Sequence, residues 1–163
     1  MKKIILLLLV TILTNVISAQ NKFGYLDSQE ILLLMPEYKS AEKDLQEFVK
    51  SLDGQLLSMQ TELQNMFSDY QQNIESYTDL VKADKEAEIQ SLQARVQSFE
   101  QNAQISIQQK QADLLQPIQD KLRNAIDNVA KENNYTYIFE KPILLYVEES
   151  ENILPLVKKK LKL

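Results

Sequence analysis

An apolar seven-residue repeat constrains this chain more than any other feature. The repeat lies within residues 38–129, a stretch that holds one glycine and one proline. One series of apolar residues falls seven or fourteen positions apart, at Tyr38, Leu45, Leu52, Met59, Met66 and Leu80. A second series, offset by four positions, comprises Val49, Leu56, Leu63, Tyr70 and Tyr77. An a/d pattern of this kind predicts a helix that is wound against another helix.

The apolar pattern resumes after a polar interruption at residues 81–86. The resumed series keeps helical spacing and then slips to steps near four, at Ile89, Leu92, Val96, Phe99, Ala103, Ile107, Leu114, Ile118, Leu122 and Ile126. We therefore predict a long antiparallel helical hairpin over residues 37–130, with its apex near residues 82–85. A single unbroken helix of about 140 Å is the alternative, because residues 82–85 contain neither glycine nor proline. The nearly equal lengths of the two periodic halves favour the hairpin.

Pro117 lies inside the second periodic half of the pattern. Because proline removes one helical backbone hydrogen bond, we expect it to bend the helix. Two interpretations of Pro117 stay open, a simple packing defect and a hinge that lets the helical hairpin splay.

The first nineteen residues have the pattern of a secretory signal peptide. Lys2 and Lys3 precede an apolar run, and Ser18 and Ala19 supply small residues at its end. We predict cleavage after Ala19, although the bulk of Ile17 allows a shift of one residue. A retained membrane anchor is the alternative, but the run is short for a membrane span. The chain has no cysteine, so we expect an exported chain without a lipid anchor, disulfides or a stable membrane anchor.

The charge and composition exclude several classes of function. Without Lys2 and Lys3, the 18 basic and 23 acidic residues leave a net charge of −7, so we expect no nucleic-acid partner. The chain has no histidine or cysteine, and its only glycines are Gly24 and Gly54. We therefore expect no catalytic residue, no metal site, no cofactor and no phosphate-binding loop. We interpret the acidic run at residues 148–151 as a solvated helix start rather than an acid–base pair or a calcium site.

The two ends of the chain, residues 20–36 and 131–163, predict a small body of strands and short helices. Residues 23–26 have the pattern of a short strand. Asp27 and Glu30 resemble a capping box that opens an apolar helix over residues 28–35. Residues 135–140 alternate as a second strand, and residues 143–147 form a third that is apolar on both faces. An amphipathic helix ends the chain. The predicted fold class is α+β, mainly α.

Three short strands and two short helices are too few to form a stable core alone. Open strand edges with apolar faces also promote aggregation unless they are paired. We therefore expect the strand-rich ends of several copies to associate. The residues predicted to hold this oligomer together are Phe23, Tyr25, Tyr137, Ile138, Phe139, Leu145 and Val147.

The opening strand at residues 22–28 and the junction at residues 35–38 carry a resemblance to a known family. Together with the hairpin and the returning strand at residues 135–140, they resemble the Skp/OmpH-like periplasmic chaperones over the whole chain after the signal peptide. The resemblance implies a homotrimer with a β-barrel body and three helical arms. It also implies a periplasmic location and a cavity that holds unfolded outer-membrane proteins without ATP. The best-known members are strongly basic, whereas this chain is acidic, so we expect no lipopolysaccharide site.

Two hypotheses of function follow, and an enzyme is a distant third. The first is a holdase whose helices collect unfolded clients through many weak contacts. Adaptable side chains suit such binding, and the candidates for client contact are Met59, Met66, Phe67, Tyr70 and Tyr77. The second hypothesis is a structural spacer or adaptor of the cell envelope, in which a rigid coiled coil holds two partners apart.

Overall fold

The computed structural model describes residues 21–163, so the predicted signal peptide lies outside the described residues. The elements, in chain order, are β1 (Phe23–Leu26), α1 (Ser28–Leu34), α2 (Pro36–Asn73), α3 (Asp79–Glu132), β2 (Tyr137–Glu140) and α4 (Leu154–Leu161). The mainly helical fold with a small strand content is therefore confirmed. The described chain divides into two compact units. We call residues 29–123 the arm and residues 21–28 with 124–163 the body.

Within the arm, α2 and α3 form an antiparallel hairpin. Three contacts between the helices show the direction of pairing. Lys121 forms an ion pair with Glu37, Gln60 donates a hydrogen bond to Glu100 over 3.4 Å, and the Tyr70 hydroxyl donates to Glu86. Partners in α3 therefore run backwards as α2 runs forwards. The hairpin is confirmed and the single unbroken helix is excluded.

The turn of the hairpin lies earlier than the predicted apex at residues 82–85, which is helical in the structure. A 3₁₀ turn over Ile74–Ser76 follows α2, and Tyr77 is extended. Polar side chains bond to the backbone on both sides: the Asn73 amide donates to the Asp69 carbonyl, and Thr78 Oγ1 accepts the Val81 N–H. Such bonds end one helix and start the next. The residues after Val81 favour helix, so the polar interruption did not mark the turn.

The apolar repeat forms the interface between the two helices of the arm. On α3, Ile89, Leu92, Val96, Ile118 and Leu122 are buried, and the α2 series is half-buried from Tyr38 to Tyr70. Leu80, which the repeat assigned to the same series, is 74% exposed. Leu80 lies beyond the turn, at the start of α3, so the heptad repeat of α2 does not determine which way its side chain points.

The helix ends follow the local chemistry of proline and asparagine. Pro36 occupies the first turn of α2, and Met35 before it is extended, as steric contact with the proline ring requires. At the other end, α3 stops at Glu132, and Asn134 adopts a left-handed conformation with φ 57°. Asparagine tolerates that conformation better than most residues do. The left-handed residue thus ends the helix and turns the chain towards β2.

The body contains a two-stranded parallel sheet in which Phe23 pairs with Tyr137 and Tyr25 with Phe139. The free edge of β1 bonds to the segment before α4, where the Ile153 N–H donates to the Tyr25 carbonyl over 2.9 Å. Buried apolar side chains of β1, the last turns of α3, Ile153 and α4 form the core: Tyr25, Leu26, Ala125, Val129, Ile153, Leu154 and Val157. The predicted strands at the two chain ends are thus present, and they pair with each other.

The third predicted strand, residues 143–147, does not form. A 3₁₀ turn over Lys141–Ile143 follows β2, and the next residues belong to no strand. Both edges of β1 are already bonded, by β2 and by residues 152–153. Apolar composition alone does not make a strand, because the backbone also needs a partner for its hydrogen bonds.

A membrane-spanning helix is absent from residues 21–163, since no helix there combines sufficient length with sufficient apolarity.

Candidate binding surfaces

The first candidate surface is a group of aromatic rings on one face of the body sheet. Phe23 stacks on Tyr137 with 5.8 Å between ring centroids, and Phe139 lies 6.2 Å from Phe23 and 6.3 Å from Tyr137. The in-register pairing of β1 with β2 places these side chains on the same face. All three rings are exposed over a third of their surface or more. We call these three residues the aromatic face.

The segment after β2 adds further exposed apolar side chains to the body. Leu145 is fully exposed, and Ile143 and Tyr146 are largely exposed. Val147 and Ile138, which were also predicted to hold an oligomer, are half-buried. Isolated exposed apolar residues are normal on protein surfaces, whereas several together indicate an interaction surface.

Tyr25 differs from the other residues predicted to hold an oligomer, because it is only 2% exposed. Its hydroxyl donates a hydrogen bond to Glu149 over 3.1 Å. Burial raises the pKa of Tyr25, and the Glu149 carboxylate raises it further. The Glu149 pKa is lowered, first by a hydrogen bond from Asn152 and then by the bond from Tyr25. Tyr25 is therefore positioned to stabilise the fold of its own chain.

The start of α1 is bonded to the end of β2. The Ser28 N–H donates to the Glu140 carboxylate over 3.2 Å, and the Ser28 hydroxyl donates to the same carboxylate. A carboxylate at this position satisfies a backbone donor that the helix itself leaves unpaired. At the opposite end of the strand pair, the Thr136 N–H donates to the Lys22 carbonyl over 2.7 Å. The two strands that carry the aromatic face are therefore linked at both ends.

The residues predicted to contact clients lie on the arm, but most of them also take part in helix pairing. Met59, Met66, Tyr70 and Tyr77 are half-buried, and Phe67 is exposed. The rings of Tyr70 and Tyr77 lie 6.3 Å apart. A hydrogen bond to Glu86 raises the pKa of Tyr70, whereas for Tyr77 burial is the main cause of the raised pKa. These tyrosines therefore stay neutral at ordinary pH.

Sequence reasoning missed the most exposed apolar residues of the arm. Leu57 and Ile105 are each 64% exposed, and Leu80 is exposed still further. A mismatch with the heptad pattern could have identified Leu57 and Ile105, because they are large apolar residues outside the predicted interface. Leu80 matched the pattern, and only the position of the turn reveals its exposure.

Shallow grooves run between the two helices of the arm. One has a volume of about 540 Å³ and is lined by Glu62, Met66, Asp84, Ala87, Glu88, Ser91, Leu92 and Arg95. A second, of about 560 Å³, continues along α3 past Ser91, Ala94 and Ser98. Small side chains on α3 leave room in both grooves, and the methionines of α2 provide adaptable apolar walls.

The acidic run at residues 148–151 forms a 3₁₀ turn over Glu149–Glu151, rather than the start of α4, which begins at Leu154. Over the part of the chain that the structure describes, no group of three or more metal-ligating residues could hold an ion.

Comparisons with known proteins agree with this architecture. The family model for the outer membrane protein (OmpH-like) family matches residues 22–161. Among solved structures, the chain is similar to a candidate outer membrane chaperone (OmpH-like) from Caulobacter crescentus CB15, with a TM-score of 0.78 and 14% sequence identity. The alignment covers 88% of this chain and 85% of that one. No curated protein matches the chain. Because the family model matches residues 22–161, which include both strands and the paired helices, this chain belongs to the OmpH-like family.

Proposed function

We propose that the chain is an ATP-independent holdase of the periplasm that binds unfolded outer-membrane β-barrel proteins and prevents their aggregation. The observation that carries the proposal is the set of large apolar side chains that the arm leaves exposed, with Leu57, Leu80 and Ile105 as its most exposed members. An unfolded client exposes apolar segments of variable sequence. Weak, repeated apolar contacts along two helices can bind such segments without a fixed pocket.

The grooves of the arm support this proposal. Their walls combine apolar residues such as Met66 and Leu92 with polar Ser91 and Arg95. Polar groups can satisfy the backbone of an unfolded client while apolar groups cover its side chains. Family membership and the similarity to the solved structure of a candidate outer membrane chaperone support the same proposal.

The proposed assembly is a homotrimer that is held together by the body. The aromatic face and the exposed segment around Leu145 supply apolar surface for contact between copies. The outer edge of β2 has no strand partner among the described residues, so it can also pair with another copy. Three arms in one assembly would hold a client at several points, which raises the effective affinity of weak contacts.

Aggregation of a urea-unfolded β-barrel protein after dilution tests this function. We expect the unchanged chain to suppress light scattering by the client. The double variant Leu57→Ser with Ile105→Ser removes two exposed side chains, each of which contributes roughly 1.5–3 kcal/mol when fully buried by a client. Because a client covers such side chains only in part and other exposed apolar residues such as Leu80 remain, we expect the variant to need several-fold more protein for equal protection.

Gln64→Ser with Gln101→Ser is the matched control, because both glutamines are exposed on the same two helices. We expect this control to protect as well as the unchanged chain. Failure of the unchanged chain to protect any barrel protein would overturn the proposal and favour the spacer hypothesis.

A further inference from the structure

The charge of the described chain is distributed unequally between its two units. The body carries seven acidic and seven basic residues, whereas the arm carries sixteen acidic and nine basic residues. The whole net charge of −7 therefore resides on the arm.

The arm is itself asymmetric along its length. We call residues 53–105, which contain the turn, the turn half. It holds nine acidic and three basic residues, and the rest of the arm holds seven acidic and six basic residues. The stretch of residues 51–81 contains no lysine or arginine. A negative potential is thus concentrated at the turn half.

Exposed large apolar residues are concentrated in the same half. The arm has eight such residues, and two of them lie on α1. The other six lie in the turn half: Leu57, Phe67, Ile74, Leu80, Val81 and Ile105. Leu80 and Ile105 are 25 residues apart on α3, which is close to seven full helical turns, so they share one face over about 38 Å. The turn half is therefore both acidic and apolar.

One groove of the turn half combines these two properties at close range. Met66, Ala87 and Leu92 supply apolar lining, and Glu62, Asp84 and Glu88 supply carboxylates, against the single cation of Arg95. Lys85 forms an ion pair with Glu88 over 2.9 Å. Among the described residues, Glu62 and Asp84 form no ion pair. This groove offers apolar contact beside two carboxylates that a cation could neutralise.

We propose that the turn half preferentially binds cationic amphipathic segments of unfolded chains, in which lysine or arginine is interleaved with large apolar residues. The inference rests on the proposed holdase function and specifies which client segments the arm prefers. Apolar side chains of the segment contact Met66, Ala87 and Leu92, and its cations lie against Glu62 and Asp84. Charge complementarity selects this occupant over an acidic segment, which the net charge of the turn half repels.

A pair of labelled peptides provides the test. One alternates lysine with leucine and phenylalanine, with glycine–serine breaks that keep it unfolded, and the other carries glutamate in place of each lysine. Their affinities for the chain without residues 1–19 are measured by fluorescence anisotropy at low salt. We expect the cationic peptide to bind about tenfold more tightly than the acidic one, a difference that shrinks at high salt.

Groove variants localise the effect. Glu62→Gln with Asp84→Asn is expected to reduce the preference to about threefold, and Glu62→Lys with Asp84→Lys to reverse it. Glu42→Gln with Asp44→Asn removes the same net charge from exposed positions outside the turn half and is expected to keep most of the preference. Equal binding of the two peptides by the unchanged chain, or an equal loss in the control, would overturn the proposal.

The barrel-protein assay run in parallel separates this inference from the holdase function. Protection of the barrel protein without any preference for the cationic peptide would overturn the inference and leave the function intact. Absence of protection would overturn the function, whatever the peptides do.

Discussion

The arm and the body bury apolar surface in different ways. The arm buries a repeating set of side chains between its own two helices, as at Leu92 and Val96. The body buries a small core around Tyr25 and Ile153, yet leaves Phe23, Tyr137 and Leu145 exposed. The arm thus has a continuous apolar interface within one chain and leaves only scattered large apolar side chains exposed, such as Leu57 and Ile105. The body leaves neighbouring apolar side chains exposed, which is the surface that the proposed contact between copies would cover.

The largest expected effect comes from a charge in the exposed segment of the body. Leu145 is fully exposed in the single chain, so Leu145→Asp should leave the fold of each copy unchanged. If Leu145 is buried between copies, an unpaired carboxylate there should dissociate the proposed trimer into monomers. Light scattering measures the mass, and circular dichroism checks that the helices persist.

Leu57→Asp is the matched control for Leu145→Asp, because it places the same charge on an exposed leucine of the arm. We expect it to leave the trimer intact. A monomeric unchanged chain, or dissociation by Leu57→Asp but not by Leu145→Asp, would contradict the assignment of assembly to the body.

A shortened arm tests whether the arm protects clients without contributing to assembly. The contact of Gln60 with Glu100 places residues 52–65 opposite residues 95–108. Deleting both stretches removes two heptads from each helix and keeps the turn at residues 74–78. We expect trimers to form normally while protection of a large client falls several-fold, because reach and exposed apolar surface are lost. Full protection after shortening would support the spacer hypothesis instead.

The sequence predicted the arm more accurately than the body, for a physical reason. A heptad repeat reports packing between neighbouring helices of one chain, so Leu92, Val96 and Leu122 could be identified as interface residues. The turn depended on single hydrogen bonds of Asn73 and Thr78, which a polarity pattern does not show. The strand predicted at residues 143–147 depended on backbone pairing, which apolar composition does not reveal, and these residues pair with no strand of their own chain.

The residues named for the candidate surfaces stay predictions in their roles, and the structure adds how they are arranged. The aromatic residues at positions 23, 137 and 139 were identified, and the structure groups them. Tyr25 was predicted to hold the oligomer with them, but residues 149–153 pack along β1 and bury it. That packing joins segments more than 120 residues apart, so no local pattern reveals it.

The two glycines, one in each region, allow a matched comparison of packing. An added Cβ at Gly24 would lie 2.8 Å from Ile153 Cγ2, whereas nothing lies within 4 Å of one at Gly54. We expect Gly24→Ala to destabilise the body by about 1–3 kcal/mol through overpacking. Gly54→Ala should stabilise α2 by about 0.5–1 kcal/mol, since alanine is the better helix former. Chemical unfolding measures both changes, and equal effects would contradict this difference in packing.

Acid should weaken both regions in the same direction. The Lys121 ammonium lowers the pKa of Glu37 in the arm, and the hydrogen bonds from Asn152 and Tyr25 lower that of Glu149 in the body. A carboxylate with a lowered pKa stabilises the fold above its ordinary value of 4.5, and that contribution is lost as the pH falls through the folded-state pKa. We expect the melting temperature to decrease as the pH is lowered below 4.5.

Glu37→Gln and Glu149→Gln assign this acid sensitivity to the two regions. Each should lower the melting temperature slightly at pH 7 and flatten its dependence on pH between about 5 and 3. If neither variant changes the slope, other carboxylates govern the acid response.

The smallest expected effect is that of salt on a neutral unfolded barrel protein. Screening at about 0.15 M already limits exposed charges to roughly 8 Å, so further salt should leave its affinity nearly level. An acidic client should bind slightly better as repulsion from the arm is reduced. A steep loss of affinity for both clients would show that a basic surface governs capture, which contradicts the charge distribution of the arm.

The most direct measurement is the mass of the soluble complex that forms when a urea-unfolded β-barrel protein is diluted into the chain without residues 1–19. Light scattering coupled to size exclusion gives the number of copies for each client. If the body assembles the copies and the arm binds the client, the unchanged chain should give three copies around one soluble client. The matched heptad deletion should keep three copies and bind far less client. Monomers that bind the client as well as trimers do, or a client that aggregates regardless of the chain, would contradict these roles of body and arm.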